Sequence, residues 1–225
     1  MTDLEILYCD DALLAVNKPS GMLVHRGWGR ASVVLVDLVR ALTGLGVVHP
    51  AHRLDQGTSG VVLFALDAES SRRLNAQFDG HGIEKLYLAL VRGEAPDNAV
   101  VDHPIPRTEG GPRVPAMTEV RRIAVVEACP RTLSIVEARP YTGRLHQVRR
   151  HLKHLGHPVI GDANYGKGAL NREIAERYGL GRLALHAASI AFAHPRTGER
   201  LVIAAPLPED LLAPLRRMGF MPPSR

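Results

Sequence analysis

The chain has 225 residues, 45% of them hydrophobic, and no uninterrupted apolar run approaches the roughly 20 residues that a membrane-spanning helix needs. Its opening, MTDLEILYCDD, lacks the basic and apolar regions of a secretory signal, and Cys9 and Cys129 are too few for a disulfide framework. These features argue against a membrane protein or a secreted disulfide scaffold. They favour a single domain in a reducing cytoplasm.

Positive charge is concentrated in one segment of the chain. The sequence contains 28 Lys or Arg and 23 Asp or Glu, and residues 144–182 alone contain eight of the former and three of the latter. This segment therefore carries the whole net charge of +5. Such a concentration is typical of a surface that binds a polyanion such as RNA, although a solvated basic face produces the same pattern.

The first half of the chain predicts strands and two helices in alternation. LEILY (4–8) and LLAVN (13–17) predict a hairpin, and Ser32 is a candidate N-cap for a helix to about Leu42. The polar loop HRLDQGTSG then leads into an apolar strand, VVLFAL (61–66). The pattern continues with a helix over 68–78 and a strand over 83–93.

The second half begins with a stretch rich in Pro and Gly, at 104–117, which predicts a loop dividing the domain into two lobes. The remaining predicted elements are strands near 118–127, 132–139 and 183–193, helices over 146–155 and near 171–178, a hairpin into LVIAA, and a short C-terminal helix. Strands that alternate irregularly with helices indicate an α+β fold around a mixed or antiparallel sheet. No separate N-terminal RNA-binding domain is expected.

The loop HRLDQGTSG places a carboxylate, Asp55, among small residues, close to Arg53. Small residues allow close approach of a ligand, and a carboxylate can act as nucleophile or general base. A loop Asp that caps a turn is the structural alternative.

Tyr87 lies inside an apolar strand, where most tyrosines are packing residues. If it faces Asp55, its ring can stack on a base and its hydroxyl can accept a proton. The densest group of hydrogen-bond donors follows the turn YTG and comprises Arg144, His146, Gln147, Arg149 and Arg150. An Arg of this group can pair with Asp55, or contact phosphate or solvent.

Two other patterns are weak. GDANYGKG (161–168) resembles a phosphate-binding loop but has Gly168 where a Ser or Thr is needed. His151, His154 and His157 do not share one helix face and have cationic neighbours, so no metal site is predicted.

Long motifs, in order and spacing, resemble those of the RluA-type pseudouridine synthases. They are KPSGMLVH (18–25), HRLDQGTSG (52–60), EKLY (84–87), TGRLHQVRRHLKHLGHPVIGDANYG (142–166) and RLALHA (182–187). The resemblance implies an RNA-modifying isomerase that needs no cofactor and folds as a long mixed sheet in two halves. The opening stretch and PAMTEV (115–120) are most similar to the branch that acts on uridine 65 in the T-stem of tRNA.

The resemblance also implies roles for individual residues. Asp55 corresponds to the catalytic aspartate and Arg53 to the arginine that helps to expel or replace the target base. Tyr87 corresponds to the tyrosine that stacks on the uracil, Arg149 to the arginine paired with the aspartate, and Leu185 to the apolar residue below the ring.

Further substrate contacts are expected from Arg144, His146 and Gln147. Gln56 and Gly57 depart from residues that are common in the family, and this bears on RNA choice more than on chemistry. No feature indicates an obligate protein partner.

Three rival interpretations remain. An RNA-binding module without chemistry predicts salt-sensitive binding that is independent of Asp55. A metal-dependent hydrolase predicts inactivation by a chelator. A synthase for ribosomal RNA shares the chemistry and differs only in which RNA its loops recognise.

Overall fold

The computed structural model describes residues 4–26, 33–106, 108 and 110–220. The strands in these ranges are β1 (Ile6–Cys9), β2 (Leu13–Lys18), β3 (His49–Pro50), β4 (Ser59–Ala65), β5 (Glu84–Arg92), β6 (Asn98–Asp102), β7 (Ile105–Pro106), β8 (Arg113–Val114), β9 (Met117–Val126), β10 (Leu133–Pro140), β11 (Leu185–Ala193) and β12 (Arg200–Ala204). The helices are α1 (Leu35–Thr43), α2 (Ala68–Asp79), α3 (Gln147–His154), α4 (Gly168–Tyr178) and α5 (Glu209–Arg217). The predicted α+β class is confirmed.

The chain forms two compact units, each built from two separate stretches of sequence. The first unit comprises Met1–Lys85 and Ala187–Pro206, and the second comprises Leu86–His186 and Leu207–Arg225. The sequence placed the divide near 104–117, whereas these boundaries fall elsewhere and that segment belongs to the second unit. Its prolines and glycines flank the short β7–β8 hairpin and do not form a linker.

The first unit is organised around β4, which is buried along its whole length. Strand β2 pairs antiparallel with β4, and β1 pairs with β2. On the other side of β4 lies β11, which pairs with β12. The run SGVVLFA has no polar alternation because a central strand is covered on both faces. Its core includes Leu13, Leu63, Leu74 and Phe192.

Helix α2 begins where the sequence predicts. Asp67 has extended backbone angles, and its side chain accepts a hydrogen bond from Ser70 N at 2.8 Å, which is the geometry of an N-cap. Near the other end of α2, Gln77 hydrogen-bonds Ala193 O and Ala193 N at the end of β11. The helix is therefore attached to the sheet by its polar face as well as by its buried Leu74.

The second unit is organised around β10, which lies between β5 and β9, with β6 on the far side of β9. All of these pairs are antiparallel. Three helices bury apolar side chains in its core: Val148 and Leu152 from α3, Ile174 from α4, and Leu211 and Leu215 from α5.

Four strands of the described residues are absent from the sequence prediction: β3, β6, and the two-residue strands β7 and β8 within the predicted loop at 104–117. Strand β3 has two residues, too few for a periodic pattern, and β6 has one buried residue, Val101. The predicted N-cap Ser32 lies outside the described residues, and α1 begins at Leu35.

Candidate active site and RNA-binding residues

Asp55 and Arg53 lie in the first unit, in the loop that connects β3 to β4. Asp55 is half-buried, Arg53 is exposed, and Leu54 between them is buried. The Asp55 carbonyl accepts a hydrogen bond from Thr58 N at 3.0 Å, which closes a tight turn. The loop therefore anchors an apolar residue while it brings a carboxylate and a guanidinium toward the surface.

A buried lysine holds this loop in place. Lys18, at the end of β2, is fully buried, and its ammonium donates hydrogen bonds to Pro19 O at 2.9 Å, Met22 O at 2.8 Å and Gln56 O at 3.1 Å. Gly21 N also donates to Gln56 O, at 2.8 Å. The segment KPSGM is therefore tied to the residue that follows Asp55, and this fixes the backbone that presents the carboxylate.

The start of β4 is closely packed behind the loop. Gly60 has φ +116, and a Cβ atom there would lie 2.1 Å from Ala187 O, so only glycine fits. Among the described residues, Thr58 Oγ1 is the buried side-chain polar atom that lacks a hydrogen-bond partner. The small residues of TSG thus allow β4 and β11 to approach closely.

His52 has a structural role at the base of the same loop. Its Nε2 accepts a hydrogen bond from Leu63 N at 3.2 Å, and its ring lies 5.5 Å from the ring of Phe78. Burial, and to a smaller extent the charge of Lys85, lower the pKa of His52 to about 4. The imidazole is therefore neutral at physiological pH, as an acceptor at Nε2 must be.

Tyr87 and Leu185 lie in the second unit and share its core. Tyr87 is half-buried on β5, opposite Ala138 of β10, and packs against the cluster that contains Leu185. The Leu185 side chain is 3% exposed, and its carbonyl accepts a hydrogen bond from Arg182 Nη2 at 3.3 Å. The structure thus brings these two predicted residues into one apolar cluster.

The side-chain amide of Gln147, a predicted RNA contact, is bonded to other groups of the protein. Its side-chain oxygen accepts from Thr142 Oγ1 at 2.7 Å and Arg144 N at 3.0 Å, and its nitrogen donates to Met117 O at 2.9 Å and Thr118 Oγ1 at 3.0 Å. These bonds use the full capacity of the amide. Gln147 therefore fixes the turn that carries Arg144, and the predicted RNA contact would require one of the bonds to break.

Tyr165 contacts His146 and three cationic side chains of α3, those of Arg149, Arg150 and Lys153. His146, with a left-handed φ of 52, shares a 3.0 Å hydrogen bond between Nδ1 and the Tyr165 hydroxyl, and Arg150 Nε donates to the same oxygen at 2.8 Å. Arg149 and Lys153 lie 5.1 Å and 5.6 Å from the ring centroid, within the range of cation–π attraction. Of these side chains, Lys153 is exposed and Arg150 is half-buried, so these two are the candidates for contacts with phosphate.

Arg149 is buried and pairs with Asp162, a partner that the sequence analysis did not identify. Arg149 Nε and Nη2 lie 2.7 Å and 2.8 Å from the two carboxylate oxygens. The GD pair of GDANYG is the sequence signal for Asp162, but that pattern resembles a phosphate-binding loop and predicts no partner for Arg149. Lys18 lies in the motif KPSGMLVH, which predicts no individual role for it.

The histidines of the basic segment have separate partners. His151 hydrogen-bonds Thr118 Oγ1 at 2.8 Å and His103 O at 2.9 Å, His154 stacks on His103 with centroids 3.9 Å apart, and His157 hydrogen-bonds Arg92 O at 2.9 Å. In the part of the chain that the structure describes, no group of three or more His, Cys, Asp or Glu could hold a metal ion. None of the helices in that part is both long and apolar enough to cross a bilayer.

Comparison with known proteins identifies relatives of the whole chain. The enzyme named tRNA pseudouridine synthase C from Salmonella typhimurium is 44% identical, covering 96% of this chain and 90% of that protein. Proteins of the same name from Haemophilus ducreyi and Vibrio cholerae are 41% and 39% identical, covering 97% and 96% of this chain and the same shares of theirs.

Solved structures confirm the predicted pseudouridine synthase fold. Human RNA Pseudouridylate Synthase Domain Containing 4 superposes with a TM-score of 0.78 at 27% identity, over 98% of this chain and 95% of its own. Human RNA Pseudouridylate Synthase Domain Containing 1 gives 0.76 at 29% identity, over 93% and 86%. Residues 12–154 match the family described as RNA pseudouridylate synthase. The resemblance drawn from the motifs is thereby confirmed, and this chain belongs to the RNA pseudouridylate synthase family, whose members are isomerases.

Proposed function

We propose that this protein converts a uridine of tRNA to pseudouridine, and that the target is uridine 65 in the T-stem. The observation that carries the proposal is the 44% identity, over 96% of this chain, to an enzyme named tRNA pseudouridine synthase C. Arg150 and Lys153 beside Tyr165 support it, because RNA binding depends on contacts between accessible cations and phosphates. The free, exposed thiols of Cys9 and Cys129 are consistent with work in a reducing cytoplasm.

The reaction is an isomerisation that needs no external reagent. The bond between C1′ and N1 of the uridine breaks with its electrons left on N1, the uracil turns, and C1′ joins C5. The proton on C5 then leaves and N1 takes up a proton, so the product is an isomer of uridine. A uridine in a stem must first leave the base stack, which costs a few kcal/mol. Arg53 is proposed to fill the space left by the base, and its exposure on the loop beside Asp55 is consistent with that role.

Asp55 is the proposed catalytic carboxylate. Two routes are open to it: attack on C1′ to give a covalent intermediate, or removal of a proton from C2′ to give a glycal. Both routes use the carboxylate oxygens, and Arg149 is proposed to pair with them, as the family resemblance implies. Tyr87 is proposed to stack on the uracil and to accept or relay the C5 proton, with Leu185 below the ring. Their shared apolar cluster supports this pairing.

Arg144 and His146 are proposed to contact the RNA backbone. Both are half-buried at the turn before α3, with parts of their side chains accessible to solvent. Donors of this kind position an RNA without determining its sequence. The choice of tRNA over ribosomal RNA is therefore assigned to the shape of the surrounding loops.

The decisive experiment replaces Asp55 with Asn. Pseudouridine formation in a transcribed tRNA is mapped by chemical marking and primer extension, and tRNA binding is measured on filters. We expect Asp55→Asn to abolish product and to leave binding largely intact, because only the carboxylate takes part in bond breaking. Asp79→Asn, at an exposed position at the end of α2, is the matched control and should behave as the parent.

Three outcomes would contradict the proposal in different ways. Turnover retained by Asp55→Asn would remove the aspartate from the chemistry. A tRNA with cytidine at position 65 that is still modified would move the target. Modification of ribosomal RNA alone would support the second substrate class.

The hydroxyl of Tyr87 is tested separately by Tyr87→Phe, which keeps the ring in the apolar cluster. We expect turnover to fall by about 10²–10⁴-fold, as for loss of a proton-transfer group, with the melting temperature nearly unchanged. Unchanged turnover would remove the hydroxyl from the mechanism while leaving the stacking role intact.

A further inference from the structure

The pair between Arg149 and Asp162 is among the most buried ion pairs in the described chain. The side chains are 9% and 0% exposed, and the pairing is bidentate, with Nε 2.7 Å from Oδ2 and Nη2 2.8 Å from Oδ1. A bidentate pair fixes both the plane and the direction of the guanidinium. Asp162 therefore determines where Arg149 points.

Asp162 is itself held rigidly by the backbone around it. Its Oδ1 accepts hydrogen bonds from Asn164 N and Tyr165 N, both at 2.9 Å, which closes a turn over the carboxylate. Asn171 from α4 accepts from Gly161 N at 3.0 Å and donates to Asp162 O at 3.1 Å. The carboxylate is thus fixed on both sides before it meets the guanidinium.

The packing of Gly161 explains why the GDANYG segment does not form a phosphate-binding loop. Gly161 has φ +77, and a Cβ atom there would lie 1.9 Å from Arg182 O. The glycine serves close approach of two protein segments and not of a phosphate. The segment is built to bring the Asp162 carboxylate to Arg149.

The carboxylate is ionised despite its burial. Burial raises the pKa of Asp162, but hydrogen bonds from Arg149 and from the Tyr165 backbone outweigh it and hold the pKa below its usual range. A buried ion pair is weak evidence for a role in stability, because apolar residues of similar size often serve as well. A role in directing Arg149 explains why charged residues occupy this position.

We propose that Asp162 is a positioning residue for catalysis, which acts by fixing the plane and direction of the Arg149 guanidinium. The inference rests on the proposed function of Arg149. It adds a residue, and the turn formed by Asn164 and Tyr165, to the set that determines the rate. Asp162 is 1% exposed and its carboxylate contacts Arg149, so we expect its loss to affect the rate and not the affinity for RNA.

The test is Asp162→Asn, which keeps an oxygen for the hydrogen bonds from Asn164 and Tyr165 but removes the charge. We expect kcat to fall about 100-fold, the loss that follows a displacement of about 1 Å at a reacting group, with KM for tRNA within about twofold. Asp162→Glu keeps the charge and should retain more activity than Asn. The matched control is Glu137→Gln, because Glu137 accepts from Arg121 and Arg139 in the same unit, and it should keep full turnover.

A second readout does not depend on activity. The Nε–H of Arg149, observed by nuclear magnetic resonance and assigned with Arg149→Lys, should exchange with solvent slowly in the parent and at least tenfold faster in Asp162→Asn. If the Arg149 Nε–H of the parent protein exchanges as fast as the Nε–H groups of exposed arginines, the inference is overturned. This measurement on the parent does not require any Asp162 variant to fold.

The outcomes separate the two proposals. If the parent modifies tRNA and Asp162→Asn has normal kcat, the positioning role is wrong and the proposed function stands. A rise in KM with unchanged kcat would assign Asp162 to RNA binding and would also overturn the inference. If the parent modifies no tRNA, the proposed function fails, and unaltered Arg149 exchange in Asp162→Asn would then reject the positioning role independently.

Discussion

The buried ammonium of Lys18 provides the sharpest test of how the Asp55 loop is held. Lys18→Met keeps a long unbranched side chain but removes three hydrogen-bond donors to carbonyl oxygens. Gln56 O would keep its hydrogen bond from Gly21 N, so the loss falls mainly on the carbonyls of Pro19 and Met22. At about 1–3 kcal/mol for each buried acceptor left without a donor, the free energy of unfolding should fall by about 2–6 kcal/mol.

This loss is measurable by differential scanning calorimetry. For a chain of this size 1 kcal/mol corresponds to about 2–4 °C, so Lys18→Met should lower the melting temperature by at least about 4 °C. The control is Lys167→Met, at an exposed position, which should change the free energy of unfolding by no more than about 0.5 kcal/mol. If both variants melt within about 2 °C of the parent, the bonds from Lys18 do not stabilise the loop and the reasoning is refuted.

Two further predictions concern the same unit. Gly60→Ala should lower the free energy of unfolding, measured by urea denaturation, by more than about 3 kcal/mol, because its Cβ would meet Ala187 O at 2.1 Å. Gly198→Ala is the control: it has φ +77 but no atom within 4 Å of the added Cβ, so its free energy of unfolding should fall by only about 1–2 kcal/mol. Equal losses of stability in the two variants would show that the Ala187 backbone moves aside for the added Cβ at little cost. Burial lowers the pKa of His52 to about 4 in the folded chain, below the value of about 6.5 in the unfolded chain, so the unfolded chain binds the proton first. The stability that His52 contributes is therefore complete above about pH 6.5, and it decreases by up to about 3 kcal/mol as pH falls toward 4. In urea titrations at several pH values, the free energy of unfolding of His52→Gln should depend less steeply on pH than that of the parent. Parallel curves for the two proteins would contradict this assignment.

Local patterns predicted most of the fold. The strand VVLFAL and the helix over 68–78 were found nearly where expected, because an apolar run after a glycine and an Asp before a helix are signals contained in adjacent residues. Strand β6 was missed because a single buried residue gives no alternation to detect. The two units are defined by contacts between distant parts of the chain, which local composition such as that near 104–117 does not show.

The candidate site was predictable only where its residues lie in long motifs. Asp55 stands out because its own loop is distinctive, but the partner of Arg149 is 13 residues away and comes from a separate turn. The sequence predicts no partner for His151, and the structure buries it between Thr118 and the His103 carbonyl. Spacing along a helix does not show what packs against it, and only the assembled structure supplies those neighbours.

The order in which the two units occur along the chain has a consequence for synthesis on the ribosome. The second unit draws core residues, Leu211 and Leu215, from the stretch after residue 206. Its hydrophobic interior cannot close until those leucines emerge from the exit tunnel, after the stretch 86–186 has been translated. A nascent chain halted near residue 206 should consequently expose apolar surface to chaperones and proteases, and a frameshift at that point would disrupt a unit whose first strand was made more than a hundred codons earlier.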